Sequence, residues 1–473
     1  MIDIEDLDGA RVVVAGAGVT GVPAAKALLA LGAKVTVTDG NAARLAALAK
    51  DVPAAHTVLD LTEPPEGTRL VVTSPGWKPS APLLAAAAGQ GIEVIGDVEL
   101  AWRICATDED PPIWLAVTGT NGKTTTVGML ESILRAAGED AVACGNIGLP
   151  VVEAVAAGRR VLAVELSSFQ LYWAPSVQPA VGMLLNIAPD HLDWHGTFDD
   201  YVAAKQRVLT GQIALAGVDD DLVAGLLADA PALVRYGITM GEPQPGQLGI
   251  VAGQLVDRAF AGHEVLADVA QVRPANPAGV FDALAAAALA RAHGVSAEAV
   301  AKGLAEFEPG GHRGVEVGVL DDVRYLDDSK ASNPHAAAAA IRSHERVVWL
   351  AGGLLKGANV DELVAELASH LVGAVLLGQD KDVIAAALAR HAPDVPVHLA
   401  GAGDHDAMDA TAVMVDAVRA ASELARPGDV VLLAPAGASW DMFTDYAHRG
   451  RAFAEALTVV SRQRQLARPG DPA

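Results

Sequence analysis

The sequence predicts an α/β protein of three successive units, each built on a mainly parallel sheet. Short β-rich apolar runs alternate with Ala- and Leu-rich helical stretches along the chain, as expected for helices layered on parallel strands. At 473 residues the chain exceeds one ordinary core and fits about three. Two breaks divide the pattern: the charged, proline-rich stretch 106–112 and the glycine-rich stretch 309–314. The expected domains are therefore 1–108, 109–310 and 311–473.

In the first unit, Arg11–Ala15, Lys34–Thr38 and Leu70–Thr73 read as strands. A helix from about Pro23 to Leu31 lies between the first two; proline suits its first turn, where a missing N–H costs nothing. Ile113–Val117, Val161–Leu166 and Ala180–Asn186 read as strands of the second unit, with a helix starting near Thr124. Val347–Ala351, Ala374–Gly378 and Val430–Ala434 are strands of the third. The last dozen residues, 462–473, read as a frayed tail.

A net charge of −24 argues against nucleic acid or an anionic membrane as partner, since either needs a broad basic face. Phosphates must instead be met by a few concentrated cations, backbone N–H groups and metal ions. The two cysteines, Cys105 and Cys144, lie outside metal-ligand spacing and read as buried small apolar residues of a reducing compartment. The N-terminus is acidic where a signal peptide would be basic, and no apolar run reaches the roughly 20 residues of a membrane span. A cytoplasmic protein without membrane insertion is the expectation.

Gly16-Ala-Gly18-Val19-Thr20-Gly21 follows a strand and opens a helix, the context of a nucleotide-diphosphate turn. Its glycines let backbone approach the phosphates, and the helix N-terminus supplies N–H groups. Asp39 ends the next strand, where an acid would meet a ribose. The motif does not distinguish NAD from a UDP-sugar.

Gly119-Thr120-Asn121-Gly122-Lys123-Thr124-Thr125 is the sharpest signal. It links a strand to a helix, Lys123 offers a cation to terminal phosphates, and Thr124 can ligate Mg²⁺. Val117 stands where the strict P-loop has its first glycine, so this is the shorter form of an ATP site. Glu165 ends a strand of the same sheet and points to metal binding, because Mg²⁺ takes oxygen ligands shared with phosphates. Asn186 to His195 clusters further polar groups, among them Asp190, His191 and Asp193. Lys205, on a following helix, reads from its own surroundings as a solvated lysine.

In the third unit His312-Arg313, Asp327-Asp328-Ser329-Lys330 and Gly352-Gly353-Leu-Leu-Lys356 place charges at strand ends. Pro435-Ala-Gly-Ala-Ser439 follows the last strand; its small residues permit close approach to a ligand, and a helix N-cap at Ser439 is the plain alternative.

Taken in order, these motifs resemble the Mur ligases over nearly the whole chain. The likeness runs through AGAGVTG, TSPG at 73–76, GDVEL at 96–100, TGTNGKTT at 118–125, GNIGLP at 145–150 and ELSSFQL at 165–171. It continues through PDHLDWHG, GHRGVEV at 311–317, DDSKASN at 327–333, AGGLLKGA at 351–358 and APAGASWDMF at 434–443. Folylpolyglutamate synthases share the P-loop variant, whereas SPG, GDVEL and the NIGLP/ELSSFQL pair point to the D-glutamate-adding Mur ligases. The resemblance implies a UDP-binding Rossmann-like N-terminal domain, a central P-loop ATPase domain and a Rossmann-like C-terminal domain for the acceptor amino acid. It also implies ATP-driven joining of D-glutamate to UDP-N-acetylmuramoyl-L-alanine through an acyl phosphate; a monomer is the expectation.

By the same resemblance, Lys123 contacts the γ-phosphate, and Thr124 and Glu165 serve one Mg²⁺. His191 serves a second, Lys205 is carbamylated into a metal ligand, and Asn146 lies near the acyl-phosphate oxygens. Arg313 reaches the ATP phosphates and Asp328 the ribose. Lys330, Ser332, Lys356, Ser439 and Tyr446 surround D-glutamate. Gly18, Val19, Thr20, Asp39, Ser74, Pro75 and Gly76 form the uridine-diphosphate pocket. Two positions depart from the family. Asp282 replaces an asparagine at the adenine, and Gly40-Asn41 follows Asp39 where a basic residue is common. Another Mur ligase, a folylpolyglutamate synthase, an NAD-dependent oxidoreductase with an accessory ATPase, and a P-loop switch are the competing readings.

Overall fold

Strand β1 (Arg11–Ala15) runs up the middle of a five-stranded sheet, in the computed structural model that describes residues 2–401 and 409–467. Its companions are β2 (Lys34–Asp39), β3 (His56–Leu59), β4 (Thr68–Thr73) and β5 (Glu93–Gly96), in the order β3-β2-β1-β4-β5. Every pairing is parallel. The chain reverses its direction of travel between β1 and β4, which opens a crevice at their carboxyl ends. The helix expected from Pro23 begins two residues earlier, as Gly21–Ala30.

The second sheet contains β6 (Ile113–Thr118), β7 (Ala141–Gly145), β8 (Val161–Glu165), β9 (Val181–Leu184), β10 (Ile213–Gly217), β11 (Val234–Ile238), β12 (Gln247–Val251), β13 (Gln254–Asp257) and β14 (Glu264–Asp268). Their order is β14-β13-β12-β11-β10-β9-β6-β8-β7. The pairs from β7 to β12 are parallel, while β12, β13 and β14 form an antiparallel edge. The helices Lys123–Ala136, Pro277–His293 and Ala297–Glu306 cover one face, and Ala283 to Ala290 are fully buried there. Small side chains allow that close helix packing.

The third sheet holds β15 (Val315–Leu320), β16 (Val323–Asp327), β17 (Val347–Gly352), β18 (Leu371–Leu377), β19 (Val397–Leu399) and β20 (Val430–Ala436). The order is β15-β16-β20-β17-β18-β19, parallel except for β15 with β16. Here too the strand order reverses, between β17 and β20.

By its contacts the chain forms two compact units. One comprises residues 1–187 and 194–308, with the first two sheets; the other comprises 188–193 and 309–473, with the third. The tail expected over 462–473 is in part a helix: Tyr446–Ala467 continues through it. Arg464 anchors this extension, donating to Asp321 Oδ2 at 2.6 Å and to the Ser422 carbonyl at 2.9 Å. The rest of that tail, 468–473, lies outside the described residues. Cys105 and Cys144 are buried, as expected, and burial pushes their thiols up to about 11 and about 12. Among the described residues no helix is long and apolar enough to cross a membrane.

Candidate active site

The first crevice is shaped by glycines that tolerate no side chain. Gly16 continues β1 with φ +111°, and a Cβ there would stand 2.3 Å from Ser74 Oγ. A Cβ on Gly21 would meet the Gly16 carbonyl oxygen at 1.8 Å. Gly18 and Gly76 face open space instead, and Val19 is 75% exposed, so this backbone can be approached. Thr20 Oγ1 donates to Ser74 Oγ at 3.1 Å, which joins the first turn to the Ser74-Pro75-Gly76 loop after β4. Asp39 is buried and braces the turn, accepting from Ala17 N and Asn41 N at 2.8 Å each. Trp194 Nε1 donates to the Gly76 carbonyl at 3.4 Å. With Tyr172 and Trp173 it forms an aromatic wall, ring centroids of successive pairs 5.1 and 4.9 Å apart.

The phosphate loop joins β6 to the helix Lys123–Ala136, with Gly122 at its N-cap in the left-handed region, φ +88°. Thr120 N donates to the Asn186 carbonyl, and Asn121 N to Asn186 Oδ1 at 2.9 Å, so the end of β9 holds the loop open. Lys123 Nζ arches over it, 2.9 Å from the carbonyl oxygens of both Gly119 and Thr120. Thr124 and Thr125 occupy the first helical turn, Thr125 buried and Thr124 partly exposed. The N–H groups that open such a helix, with a cation beside them, suit polyphosphate.

Glu165 ends β8 beside this loop. It is 2% exposed; Asn146 Nδ2 donates to its Oε1, and its Oε2 has no hydrogen-bond partner among the described residues. Behind it, a capping box between Ser167 and Gln170 fixes the next helix and the loop leading to it. A buried carboxylate oxygen without a hydrogen-bond donor is costly unless a cation meets it. The donor set therefore fits a hard divalent ion, although no cluster of three His, Cys, Asp or Glu groups forms among the described residues.

The solvated lysine read at position 205 is corrected by the structure. Lys205 is 2% exposed, because its helix Phe198–Gln206 lies under the end of β6. Its Nζ donates to the Gly119 carbonyl at 2.7 Å and lies 4.9 Å above the Tyr201 ring. Tyr201 also meets Thr120 Oγ1 through its hydroxyl at 2.8 Å. Asn186 belongs to the polar cluster read in the sequence but was given no role there, and Tyr201 was missed; the four-residue spacing of Tyr201 and Lys205, which puts them on one helix face, was the available signal.

The other unit gathers its own group around the ends of β16, β17 and β20. Asp328 is half-buried, and its carboxyl is pushed up to about 7, chiefly by desolvation, with the Arg313 charge opposing and Asp327 adding to the rise. Lys330 Nζ lies 4.9 Å over the Tyr446 ring. Ser332 N donates to the Lys330 carbonyl, which folds that segment back on itself. Gly353 approaches Ala438 so closely that a Cβ would stand 2.1 Å from its carbonyl oxygen, and Ser439 is buried beyond it. The N-cap alternative for Ser439 fails, since it precedes turns closed by its own carbonyl rather than a helix. Arg449, which sequence reasoning missed, is buried beneath all three segments and donates to Ser329 Oγ, the Ser329 carbonyl and the Gly437 carbonyl.

Asp190 and His191 belong to this second unit, whereas Thr124, Glu165 and Lys205 belong to the first. Lys356 Nζ donates to Asp190 Oδ1 at 3.2 Å. Burial alone would raise the Asp190 carboxyl, but the charges of His191 and Lys356 outweigh it and hold the group below its usual range.

The chain matches the Mur ligase MurD-like N-terminal domain over residues 10–96, the Mur ligase middle domain over 117–245 and the Mur ligase glutamate ligase domain over 312–437. The UDP-N-acetylmuramoylalanine–D-glutamate ligase of Mycolicibacterium smegmatis is 51% identical over 478 aligned residues, 96% of this chain and 97% of that one. The enzyme of the same name from Rhodococcus jostii is 51% identical over 476 residues, 95% of both chains. Among solved structures, the UDP-N-acetylmuramate-alanine ligase of Thermotoga maritima shares the fold at 16% identity and a TM-score of 0.57, covering 95% of this chain and 99% of that one. With half its residues shared across almost its full length, and three domain matches in the family's order, the chain belongs to the Mur ligase family.

Proposed function

We propose that this chain is an ATP-dependent ligase that adds D-glutamate to UDP-N-acetylmuramoyl-L-alanine in peptidoglycan precursor synthesis. The observation that carries the reading is the 51% identity, over 96% of the chain, to ligases of that name. The geometry supplies a physical account of how such a chain works.

A carboxylate resists attack by an amine because oxide is a poor leaving group. Transfer of the ATP γ-phosphoryl to the alanine carboxylate gives an acyl phosphate; the D-glutamate amine then attacks its carbonyl, and phosphate departs as the amide forms. In this reading the loop Gly119–Thr125 grips the triphosphate, with Lys123 on the γ-phosphate, where it offsets charge that grows during transfer. Thr124 and Glu165 would hold one Mg²⁺, which supplies Lewis-acid neutralisation of phosphate charge. His191 and Lys205 would hold a second. Lys205 suits that role only once its amine has added CO₂ and lost a proton, which turns a buried cation into a carboxylate-like ligand. Asn146 orients Glu165 and lies toward the acyl phosphate.

Gly18, Val19, Thr20, Asp39, Ser74, Pro75 and Gly76 are assigned to the uridine diphosphate, the accessible backbone of the first two loops favouring this. Arg313 and Asp328 are assigned to the ATP phosphates and ribose. Lys330, Ser332, Lys356, Ser439 and Tyr446 are assigned to D-glutamate, whose two carboxylates call for cations and hydroxyls. The proposed domain limits are 1–108, 109–310 and 311–473, and the proposed setting is a cytoplasmic monomer with small-molecule substrates only.

The test is ADP release with UDP-N-acetylmuramoyl-L-alanine and a panel of acceptors. Turnover with D-glutamate, and none with L-alanine or diaminopimelate, is expected. Turnover with another acceptor alone, or without the UDP-precursor, would overturn the assignment.

A further inference from the structure

We infer that Asp282 is a positioning residue of the phosphate loop, its buried carboxylate setting the left-handed turn at Gly122 instead of reading the nucleotide base. The inference rests on the assignment of that loop to ATP.

The helix Pro277–His293 starts with Asn276 as its cap and a proline in its first turn, and it packs along the helix Lys123–Ala136. That packing brings its second turn under the phosphate loop. There Phe281 fills the space beside Gly217, 2.7 Å from where a Cβ would lie, and Asp282 turns inward at 5% exposure. Asp282 Oδ1 stands 2.2 Å from the position a Cβ on Gly122 would take. The same oxygen accepts from Thr126 Oγ1 at 3.4 Å, and Thr126 N donates to the Gly122 carbonyl at 3.0 Å.

One carboxylate thus touches both ends of the first helical turn, the turn whose N–H groups face the phosphates. Its negative charge sits at a helix N-terminus, where the peptide dipoles favour it. The contact also explains why position 122 takes glycine for two separate reasons: the φ of +88°, and the absence of room for a methyl group. A side chain this short and this buried, in contact with Gly122 and Thr126, is directed at the loop. A carboxylate moreover has no proton to offer adenine's ring nitrogens.

The test compares Asp282→Ala and Asp282→Asn in the full chain, measuring KM for ATP, KM for the UDP-precursor and D-glutamate, and competition by inorganic tripolyphosphate. Asp282→Ala should weaken ATP and tripolyphosphate by the same factor, about tenfold, with the other two KM values unchanged. Asp282→Asn keeps an acceptor oxygen and should stay within about threefold of the parent. Adding Gly122→Ala to Asp282→Ala should cost less than Gly122→Ala costs alone, since the clash is gone and only the backbone strain remains. Loss of ATP affinity without loss of tripolyphosphate affinity, strictly additive effects, or unchanged ATP use by Asp282→Ala would each overturn the inference. A parent chain that releases no ADP with its proposed substrates would instead defeat the functional assignment.

Discussion

Asn146 Nδ2 donates to Glu165 Oε1 at 2.8 Å, while the buried Glu165 Oε2 has no hydrogen-bond partner among the described residues. One oxygen is thereby fixed in direction and the other presented to whatever cation enters. Glu165→Gln preserves the shape and the Asn146 bond but removes the charge. Turnover should fall by about a hundredfold or more and the Mg²⁺ concentration for half-activity should rise. A magnesium titration indistinguishable from the parent's would remove Glu165 from the metal site.

Lys205 makes the second prediction. Lys205→Ala should be inactive yet folded, with part of the activity returned by short-chain carboxylates that occupy the space of a carbamate. The parent, assayed in CO₂-depleted buffer, should lose activity and regain it on adding bicarbonate. Full activity of Lys205→Ala would end the carbamate reading.

Asp97 bears on pH. Both its oxygens are buried at the start of the helix Asp97–Cys105 without a well-formed hydrogen bond among the described residues, and desolvation pushes its carboxyl from 3.8 to about 7, only partly offset by its own backbone N–H and that of Val98. Below about pH 3.8 both folded and unfolded chains hold this proton, so burial carries no penalty. Between there and about 7 only the folded chain holds it, and stability declines as pH rises through that window. Asp97→Asn removes the dependence. Its melting temperature, taken relative to the parent's, should be higher at pH 8 than at pH 5; an equal difference at both would refute the claim.

Arg449 tests the architecture of the third sheet. Burial lowers its pKa to about 10 despite the Asp441 and Asp327 charges, and its three hydrogen bonds tie Ser329 to Gly437. Arg449→Ala leaves those acceptors stranded, and should cost about 3–5 kcal/mol in denaturant unfolding. A loss within about 0.5 kcal/mol, the range of ordinary surface changes, would show the network to be dispensable.

Which of these features could be read in advance follows from where their causes lie. The strands starting at Arg11, Ile113, Val161, Val347 and Val430 announce themselves because parallel strands buried on both faces are unbroken apolar runs. The antiparallel edge of β12 to β14 does not, since its short strands mix Gln, Gly and exposed positions with the buried ones. The phosphate loop was legible for a similar reason: its chemistry sits in one continuous segment. Lys205 and Asp282 were picked out by resemblance alone, and Arg449 not at all. Each takes its meaning from partners far off in the chain (Gly119, Gly122 and Ser329), and a helix seen alone looks the same whether a sheet end or water lies beside it.

The aromatic wall beside Gly76 has a spectroscopic consequence. Trp173 and Trp194, two of the seven tryptophans, flank Tyr172, and Trp194 touches the loop assigned to the uridine diphosphate. Occupancy of that loop would change the surroundings of an indole already in place. On the proposed assignment, a native fluorophore stands beside the donor loop, and its emission is expected to follow precursor binding in real time without a dye or an engineered label.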